Sequence, residues 1–322
     1  MRNAFSRALV KAAIADERVV LLTGDHGYSL FDEFRRVCPD RYLNAGVAEQ
    51  NMVGVAAGLA KGGLRPWVYG LAAFVPMRVL EQIKIDICYE GLPVVLVGDG
   101  AGVVYSTLGA SHQATEDVAA LRALPEIGIL SPADAHEMTS CAELCAGATG
   151  PVYLRIGKSD LGEVHSGPPA LDWGRWCELR MGSGPLAWIA TGSMVRTALA
   201  LADLWPGSEV WSAPCLKPID AGAVRQVCEK HQAVIVLEEH SIHGGLGSAV
   251  AEVACEVAPT FVCRIGIRNR FSRFCGSYTY LLGEHQLDLE SAAAQVRDFV
   301  APLNDQWGGY LLRKAIKTRE AA

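Results

Sequence analysis

Residues 47–60 read VAEQNMVGVAAGLA, and the rest of the chain can be placed around this segment. Small and apolar side chains dominate it. The positions that recur at helical spacing are Ala48, Asn51, Val55, Gly58 and Leu59. The pattern runs without a break to the glycine pair at 62–63, so it predicts a helix. The many Gly and Ala residues indicate that another backbone or a flat ring packs close to this helix.

A single carboxylate, Glu49, stands at the start of the predicted helix. One interpretation is a first-turn placement, where the helix dipole stabilises an anion by ~0.3–1 kcal/mol. The other is a buried acid that protonates or hydrogen-bonds a ligand. The residues of this segment leave both interpretations open.

Length and composition limit the class of protein. A chain of 322 residues is too long for one hydrophobic core, so we expect two domains. A hydrophobic content of 50% with 20% charged residues suits an α/β protein with much to bury. The net charge of −6 argues against nucleic acid or an anionic membrane as the main partner.

The ten cysteines are scattered and contain no Cys-x-x-Cys pair. Cys141 and Cys145 share one face of a predicted helix, but no histidine or second cysteine pair completes a zinc set. We therefore predict reduced, buried thiols and a cytoplasmic protein. The N-terminus lacks a long apolar segment and no apolar run reaches 18 residues, so we predict neither a signal peptide nor a membrane span.

Strands and helices alternate along the chain, which predicts two doubly wound α/β domains. The clearest parallel strand is the continuous apolar run at 92–98. Weak patterning and a Ser-Gly-Pro-Pro sequence at 166–169 indicate a linker. The predicted division is a first domain at 1–165, a linker at 166–185, a second domain at 186–302 and a basic tail at 303–322, which we interpret as a frayed, solvated helix.

The sequence Gly98-Asp99-Gly100 is similar to the Mg²⁺–diphosphate signature of thiamine diphosphate enzymes. That signature needs an asparagine about thirty residues further on as a second oxygen ligand. No asparagine of this chain stands there, since they are Asn3, Asn44, Asn51, Asn269 and Asn304. We therefore expect no metal site in this chain.

Several motifs in order along the chain resemble the transketolase family. The pyrimidine-binding domain of that family is matched by Gly46-Val47-Ala48-Glu49-Gln50-Asn51, Phe74, Glu81-Gln82-Ile83, Gly109-Ala110-Ser111-His112-Gln113-Ala114-Thr115-Glu116-Asp117 and Ser131-Pro132-Ala133-Asp134. Its C-terminal domain is matched by Glu238-Glu239-His240-Ser241-Ile242-His243-Gly244-Gly245-Leu246-Gly247-Ser248-Ala249. Only the last two of the three usual domains are present, so the chain resembles the C-terminal subunit of a split transketolase.

The resemblance implies roles for four residues. Glu49 matches the carboxylate that contacts N1′ of the cofactor aminopyrimidine, and losing such an acid/base group costs ~10²–10⁴-fold in rate. Phe74 matches the ring that stacks on the aminopyrimidine, although composition alone would place it in the core. His112 matches the histidine that faces the substrate. Arg155 matches an arginine that binds the substrate phosphate, and its alternative is an interface ion pair.

The chain departs from the family at several pocket positions. Leu108 stands where an acidic residue usually binds the donor hydroxyl, and Gly100 stands where a cation for the phosphate is usual. Leu71 and Met77 replace the second and third aromatic residues of the cofactor pocket. Tyr105 is a candidate replacement hydroxyl for substrate binding. Ordinary pentose phosphates are therefore not the expected substrates.

The resemblance implies a subunit that transfers a two-carbon ketol unit between sugars or sugar-like aldehydes. It implies thiamine diphosphate and Mg²⁺, with the metal and diphosphate ligands supplied by an N-terminal partner that carries Gly-Asp-Gly and a following Asn. It also implies an α2β2 assembly with the cofactor between chains. The alternatives are a protein similar to deoxyxylulose-phosphate synthase or to the β chain of a 2-oxoacid dehydrogenase, acting on pyruvate or another 2-oxoacid, and a non-catalytic partner.

Overall fold

Two sheets flanked by helices make up the part of the chain that this computed structural model describes, residues 1–158 and 161–306, excluding the side chains of 304–306. The strands are β1 Val19–Thr23, β2 Tyr42–Asn44, β3 Arg65–Leu71, β4 Val95–Asp99, β5 Gly128–Leu130, β6 Val152–Ile156, β7 Cys177–Arg180, β8 Leu186–Ala190, β9 Glu209–Ser212, β10 Cys215–Lys217, β11 Ala233–Ser241 and β12 Phe261–Ile267. The α-helices are α1 Arg2–Ala15, α2 Asp32–Val37, α3 Glu49–Lys61, α4 Leu80–Gln82, α5 Asp117–Arg122, α6 Ala135–Gly147, α7 Met194–Leu204, α8 Ala221–Lys230, α9 Leu246–Val257, α10 Tyr278–Glu284 and α11 Leu289–Gln306.

The first sheet has seven strands in the order β10-β5-β6-β4-β3-β1-β2. Its strands run parallel except β10, which pairs antiparallel with β5. The second sheet has five strands in the order β12-β11-β8-β9-β7, and only β7 is antiparallel. The predicted α/β class with doubly wound sheets is confirmed, and each sheet carries one antiparallel edge strand in addition.

The two halves of the chain share structure at their boundary. Strand β10 comes from the second half but completes the first sheet, and Cys215 lies opposite Leu130 in that pairing. The segment predicted as a linker, 166–185, contains strand β7, which pairs with β9. Four residues of edge strand are too few to show a periodic pattern, so the sequence did not indicate β7. Short strands β9 and β10 escaped prediction for the same reason.

Helix α3 buries one face and leaves the other accessible. The side chains buried against the sheet and its neighbours are Glu49, Met52, Val53, Ala56, Ala57 and Ala60. On the opposite face Asn51 and Gly58 are exposed, and a Cβ placed on Gly54 or Gly58 would meet no described atom within 4 Å. The small residues of this helix therefore do not accommodate another backbone of the same chain.

The helical segment from Met77 to Cys88 has a mixed geometry. It begins with a 3₁₀ turn at Met77–Val79, continues as α4 and ends as a π-helical stretch at Ile83–Cys88. We find no sequence feature that explains the π-helical part, a conformation that is frequent at functional sites. Arg78 lies in the 3₁₀ turn that begins this segment and not in its π-helical part.

Other predictions about the chain as a whole have clear outcomes. All ten cysteines are free thiols, and Cys141 and Cys145 are buried on α6. The prediction that the thiols are buried is wrong for Cys255 and Cys275, which are exposed, and Cys177 is partly exposed. Among the described residues, no helix has the length and apolar character that crossing a membrane requires. The basic tail predicted at 303–322 lies outside the described residues from 307 onward, and α11 extends through 306.

Candidate active site

Glu49 is the first residue of α3 and is 3% exposed. Its Oε2 accepts a hydrogen bond from Arg78 Nη1 at 3.0 Å, which forms an ion pair. Its Oε1 is buried and has no hydrogen-bond partner within the described part of the chain. A buried carboxylate oxygen without a partner is energetically costly. This oxygen therefore needs a donor that the described residues do not supply.

Phe74 lies in the turn after β3, where its backbone N–H donates to Leu71 O at 2.9 Å. The guanidinium carbon of Arg78 is 4.0 Å from the centroid of the Phe74 ring. The His112 ring packs edge-on against the same ring, with centroids 5.3 Å apart. Three residues that we singled out from the sequence, Glu49, Phe74 and His112, are thus brought together, and Arg78 is the link that we did not predict.

The loop after β4 holds His112. A 3₁₀ turn at Ala110–His112 presents the ring, and His112 Nδ1 lies 3.0 Å from Ser111 Oγ. The second half of the chain supports this loop, because Ser272 Oγ donates to Gln113 Oε1 at 2.7 Å. Leu108 in the same loop is 51% exposed, so this apolar side chain is accessible to solvent.

Leu71 and Met77 flank Phe74 along the chain. Leu71 ends β3 and is buried, whereas Met77 begins the 3₁₀ turn and is partly exposed. Leu71 thus directly precedes the turn that carries Phe74, and Met77 begins the turn that carries Arg78. Their predicted contact with the cofactor remains a prediction.

Asp99 and Tyr105 are bonded to each other. The Tyr105 hydroxyl donates to Asp99 Oδ2 at 3.0 Å, and the Tyr69 hydroxyl donates to the same oxygen at 2.8 Å. Burial, together with the negative charge of Asp99, raises the pKa of Tyr105, so its hydroxyl stays protonated. A Cβ on Gly100 would lie 2.0 Å from the Tyr105 ring. The hydroxyl proposed from the sequence as a substrate ligand is therefore engaged with Asp99, which weakens that hypothesis.

Arg155 is buried rather than open to a substrate. It is 4% exposed, and its Nε and Nη2 donate to the two carboxylate oxygens of Asp117 at 2.7 and 3.1 Å. Nη2 also donates to the carbonyl oxygens of Ala114 and Glu239. Burial acts to raise the pKa of Asp117, but Arg155, His240 and the hydrogen bonds outweigh it and hold that pKa below its ordinary value. This geometry favours the ion-pair alternative for Arg155 over the phosphate role.

The Glu238-Glu239-His240 segment lies near the end of β11 and contacts the loop after β4 in the first half. Glu239 Oε1 accepts a hydrogen bond from Val103 N at 2.7 Å. A Cβ on Gly102, whose φ is +63°, would lie 2.4 Å from that carboxylate oxygen, so this close approach requires glycine. From the sequence this segment indicated the family resemblance only. Its contact with the loop depends on a pairing between residues 136 positions apart, which no local pattern reveals.

One group of side chains in the described ranges has ligand atoms close enough to share a metal ion, namely Glu137, His165 and Cys177. Glu137 Oε1 lies 2.8 Å from His165 Nε2, and that hydrogen bond raises the pKa of His165. Glu137 lies on α6, His165 in the segment after β6 and Cys177 at the start of β7, so the group is separate from Asp99 at the end of β4. An ion pair between Glu137 and His165 accounts for this contact.

Comparison with known proteins identifies the class. Residues 1–163 match the family described as “Transketolase, pyrimidine binding domain”, and residues 182–270 match “Transketolase, C-terminal domain”. The chain belongs to the transketolase family. A solved structure described as “Split gene transketolase, inactive beta4 tetramer” is 35% identical to this chain in sequence and superposes with a TM-score of 0.84. The match covers 93% of this chain and 97% of the chain in that structure.

The relatives include chains of split transketolases. The chain is 34% identical to the 6-deoxy-6-sulfo-D-fructose transketolase subunit SqwH of a Clostridium species, over 84% of this chain and 85% of that protein. It is 32% identical to one of the subunits of the apulose-4-phosphate transketolase of Phocaeicola vulgatus, over 93% of this chain and 97% of that protein. It also matches the 1-deoxy-D-xylulose-5-phosphate synthase of Caldanaerobacter subterraneus at 31% identity, but spans only 47% of that enzyme. The predicted class, a C-terminal chain of a split transketolase with ketol-transfer function, is confirmed.

Proposed function

We propose that this chain is the pyrimidine-binding subunit of a two-chain transketolase and works only with an N-terminal partner subunit. The observation that carries the proposal is the buried Oε1 of Glu49, which has no partner among the described residues, on a side chain that Arg78 connects to the Phe74 and His112 rings. When bound, thiamine diphosphate supplies the carbanion chemistry of ketol transfer. The rest of this proposal concerns what the residues of this chain do.

Three residues have distinct roles in this proposal. Glu49 shares a proton with N1′ of the aminopyrimidine, which would give its Oε1 the hydrogen-bond partner that this oxygen lacks among the described residues. Phe74 supplies a flat apolar face for the ring, a contact typically worth ~0.5–1.5 kcal/mol beyond burial. His112, packed edge-on against Phe74, is near enough to act on the substrate carbonyl or hydroxyl groups.

The metal and the diphosphate belong to the partner subunit in this proposal. A diphosphate must be neutralised by a cation, and Mg²⁺ requires a set of oxygen ligands. Asp99, the acidic residue of Gly98-Asp99-Gly100, is already bonded to Tyr69 and Tyr105 within this chain. We therefore assign the Mg²⁺ ligands to a partner with its own Gly-Asp-Gly and downstream Asn.

The accessible face of α3 is the surface that we propose for assembly. Gly54 and Gly58 leave open space on that face, so another chain can approach the helix backbone closely. The relative of known structure is described as an inactive tetramer of β chains, which fits a chain that associates with itself and lacks activity alone. We propose an α2β2 enzyme, and we retain a cytoplasmic location as part of the same proposal.

The substrate in this proposal is a specialised sugar rather than a common pentose phosphate. Leu108 is exposed in the loop of His112 and cannot hydrogen-bond a donor hydroxyl. Two relatives bear the names of enzymes acting on 6-deoxy-6-sulfo-D-fructose and apulose-4-phosphate, which supports an unusual sugar for this chain as well.

The test is an assay of the two-chain complex with thiamine diphosphate and Mg²⁺. The donors are xylulose 5-phosphate, a sulfonated ketose, a branched-sugar phosphate and pyruvate, each offered with a panel of aldehyde acceptors. We expect ketol transfer from one of the specialised sugars. Activity with pyruvate and release of CO₂ would favour the synthase alternative, and inactivity with every donor despite cofactor binding would favour a non-catalytic partner.

A further inference from the structure

Arg78 makes two contacts at once in the candidate active site. Its guanidinium carbon lies 4.0 Å from the centroid of the Phe74 ring, and its Nη1 donates to Glu49 Oε2 at 3.0 Å. One flat group thus covers an aromatic face and donates a hydrogen bond to a buried carboxylate. These are the same two partners, Phe74 and Glu49, that the proposed function assigns to the aminopyrimidine ring of the cofactor.

The guanidinium suits this position for chemical reasons. It is planar and delocalised, it stacks on aromatic rings, and it presents N–H donors in a fixed plane to a carboxylate. An aminopyrimidine has the same elements, since it is flat and carries a nitrogen edge able to share a proton with Glu49. The two groups cannot stack on the same face of Phe74 together, because each fills a layer of van der Waals thickness, although Arg78 uses Oε2 of Glu49 and the aminopyrimidine would use Oε1.

We propose that Arg78 occupies part of the aminopyrimidine pocket and must leave it before the cofactor can bind. This inference rests on the proposed function, because it takes Phe74 and Glu49 as the cofactor contacts. Only chains in which Arg78 has moved away can bind the cofactor. The apparent affinity for the cofactor therefore equals the intrinsic affinity multiplied by the fraction of chains in that state. Cofactor binding therefore favours the state in which Arg78 has moved away.

The surroundings allow such a movement. The Arg78 side chain is 45% exposed, whereas that of Glu49 is 3% exposed. Its guanidinium can therefore rotate into solvent while the carboxylate stays in place. Phe74 keeps its backbone hydrogen bond to Leu71 and its ring contact with His112 when Arg78 rotates, because neither contact involves the Arg78 guanidinium.

The test measures cofactor affinity in the complex with the N-terminal subunit. Thiamine diphosphate with Mg²⁺ is titrated calorimetrically into wild type, Arg78→Ala, Arg78→Gln and Arg78→Lys. Arg78→Gln keeps a hydrogen-bond donor for Glu49 and guards against misfolding of a chain with an isolated buried carboxylate. The matched control is Arg35→Gln, because Arg35 also lies over an aromatic ring, that of Tyr42, at 5.5 Å, but outside this site.

We expect Arg78→Ala and Arg78→Gln to bind the cofactor at least about tenfold more tightly than wild type. Arg78→Lys, which keeps the charge but not the plane, should fall between them and wild type, and Arg35→Gln should match wild type. Unchanged or weaker binding in both Arg78→Ala and Arg78→Gln, with a wild-type complex that binds normally, overturns this inference and leaves the proposed function standing. Failure of every complex to bind the cofactor overturns both.

Discussion

Arg155 and Asp117 form an ion pair that is closed to solvent, with Arg155 Nε 2.7 Å from Asp117 Oδ2. Strand β6 carries the arginine and helix α5 carries the aspartate, and the carbonyl of Glu239 from the second half accepts a further bond from the arginine. The pair therefore joins two elements of the first domain to the second. Its burial favours a structural role for this arginine over the predicted contact with a substrate phosphate.

The first prediction concerns this pair. Arg155→Met should lower the free energy of unfolding by about 3–5 kcal/mol, because it leaves Asp117 charged and unpaired in the interior. Chemical denaturation followed by circular dichroism measures the loss. The double variant Asp117→Asn/Arg155→Met is the control and should recover part of it. A stable Arg155→Met chain whose only defect is a raised KM for a phosphorylated substrate would restore the phosphate role.

The second prediction concerns Glu49. Glu49→Gln should leave the fold intact and reduce turnover of the two-chain complex by ~10²–10⁴-fold, because the amide cannot exchange the proton that the carboxylate holds. Steady-state kinetics and thermal melting of the same preparation separate the two effects. Glu81→Gln is a matched control, since Glu81 is an exposed glutamate in α4. Activity of Glu49→Gln within a few-fold of wild type would contradict the assignment.

The third prediction concerns Leu108. Leu108→Asp should raise activity on common ketose phosphates, because a carboxylate in the loop of His112 can accept a hydrogen bond from the donor hydroxyl. The comparison is kcat/KM for xylulose 5-phosphate in the two complexes. Leu108→Asn controls for polarity without charge. Efficient turnover of xylulose 5-phosphate by the wild-type complex would show that the pocket is not specialised in the proposed sense.

The fourth prediction concerns the isolated chain. Without its partner it should bind thiamine diphosphate and Mg²⁺ weakly and catalyse no ketol transfer, because the acid of its Gly-Asp-Gly sequence is bonded internally. Calorimetric titration of the chain alone, beside the two-chain complex as control, measures the difference. Submicromolar binding by the chain alone would refute the division of ligands between subunits.

The fifth prediction concerns the pH dependence of stability. Burial raises the pKa of Glu238 to about 7, although the amides of Leu246 and Gly247 donate to its carboxylate and Arg155 and Arg264 lie near. The folded pKa exceeds the unfolded value of ~4.3, so this group favours the folded state at low pH and loses that contribution as pH rises toward 7.

The Glu238→Gln variant has no titratable group at this position, whereas wild type loses the Glu238 contribution between pH 5 and pH 8. The unfolding free energy of the variant minus that of wild type should therefore rise by roughly 1–3 kcal/mol over this range. Urea denaturation at both pH values measures this change. The control is Glu252→Gln, because Arg122 lowers the pKa of that accessible carboxylate and no gain should appear. An equal difference at both pH values would contradict the prediction.

Local patterns predicted much of the fold. The continuous apolar run of β4 and the helical spacing of α3 are encoded in neighbouring residues, so the alternation of strands and helices could be predicted. The antiparallel edge strands β7 and β10 could not, because each is only three or four residues long and is stabilised by a partner far along the chain. The position of the site was predicted by the motifs that carry Glu49, Phe74 and His112.

The sequence by itself determined the family and the α/β architecture, and it singled out the candidate acid, aromatic ring and histidine of the site, because short motifs carry that information. Tertiary structure decided which partner each charged or polar side chain has. It pairs Arg155 with Asp117, directs the Tyr105 hydroxyl to Asp99 and lays Arg78 between Phe74 and Glu49. Hydrogen bonds and ion pairs act over a few ångströms, so their partners depend on how distant segments are folded together and not on spacing along the chain.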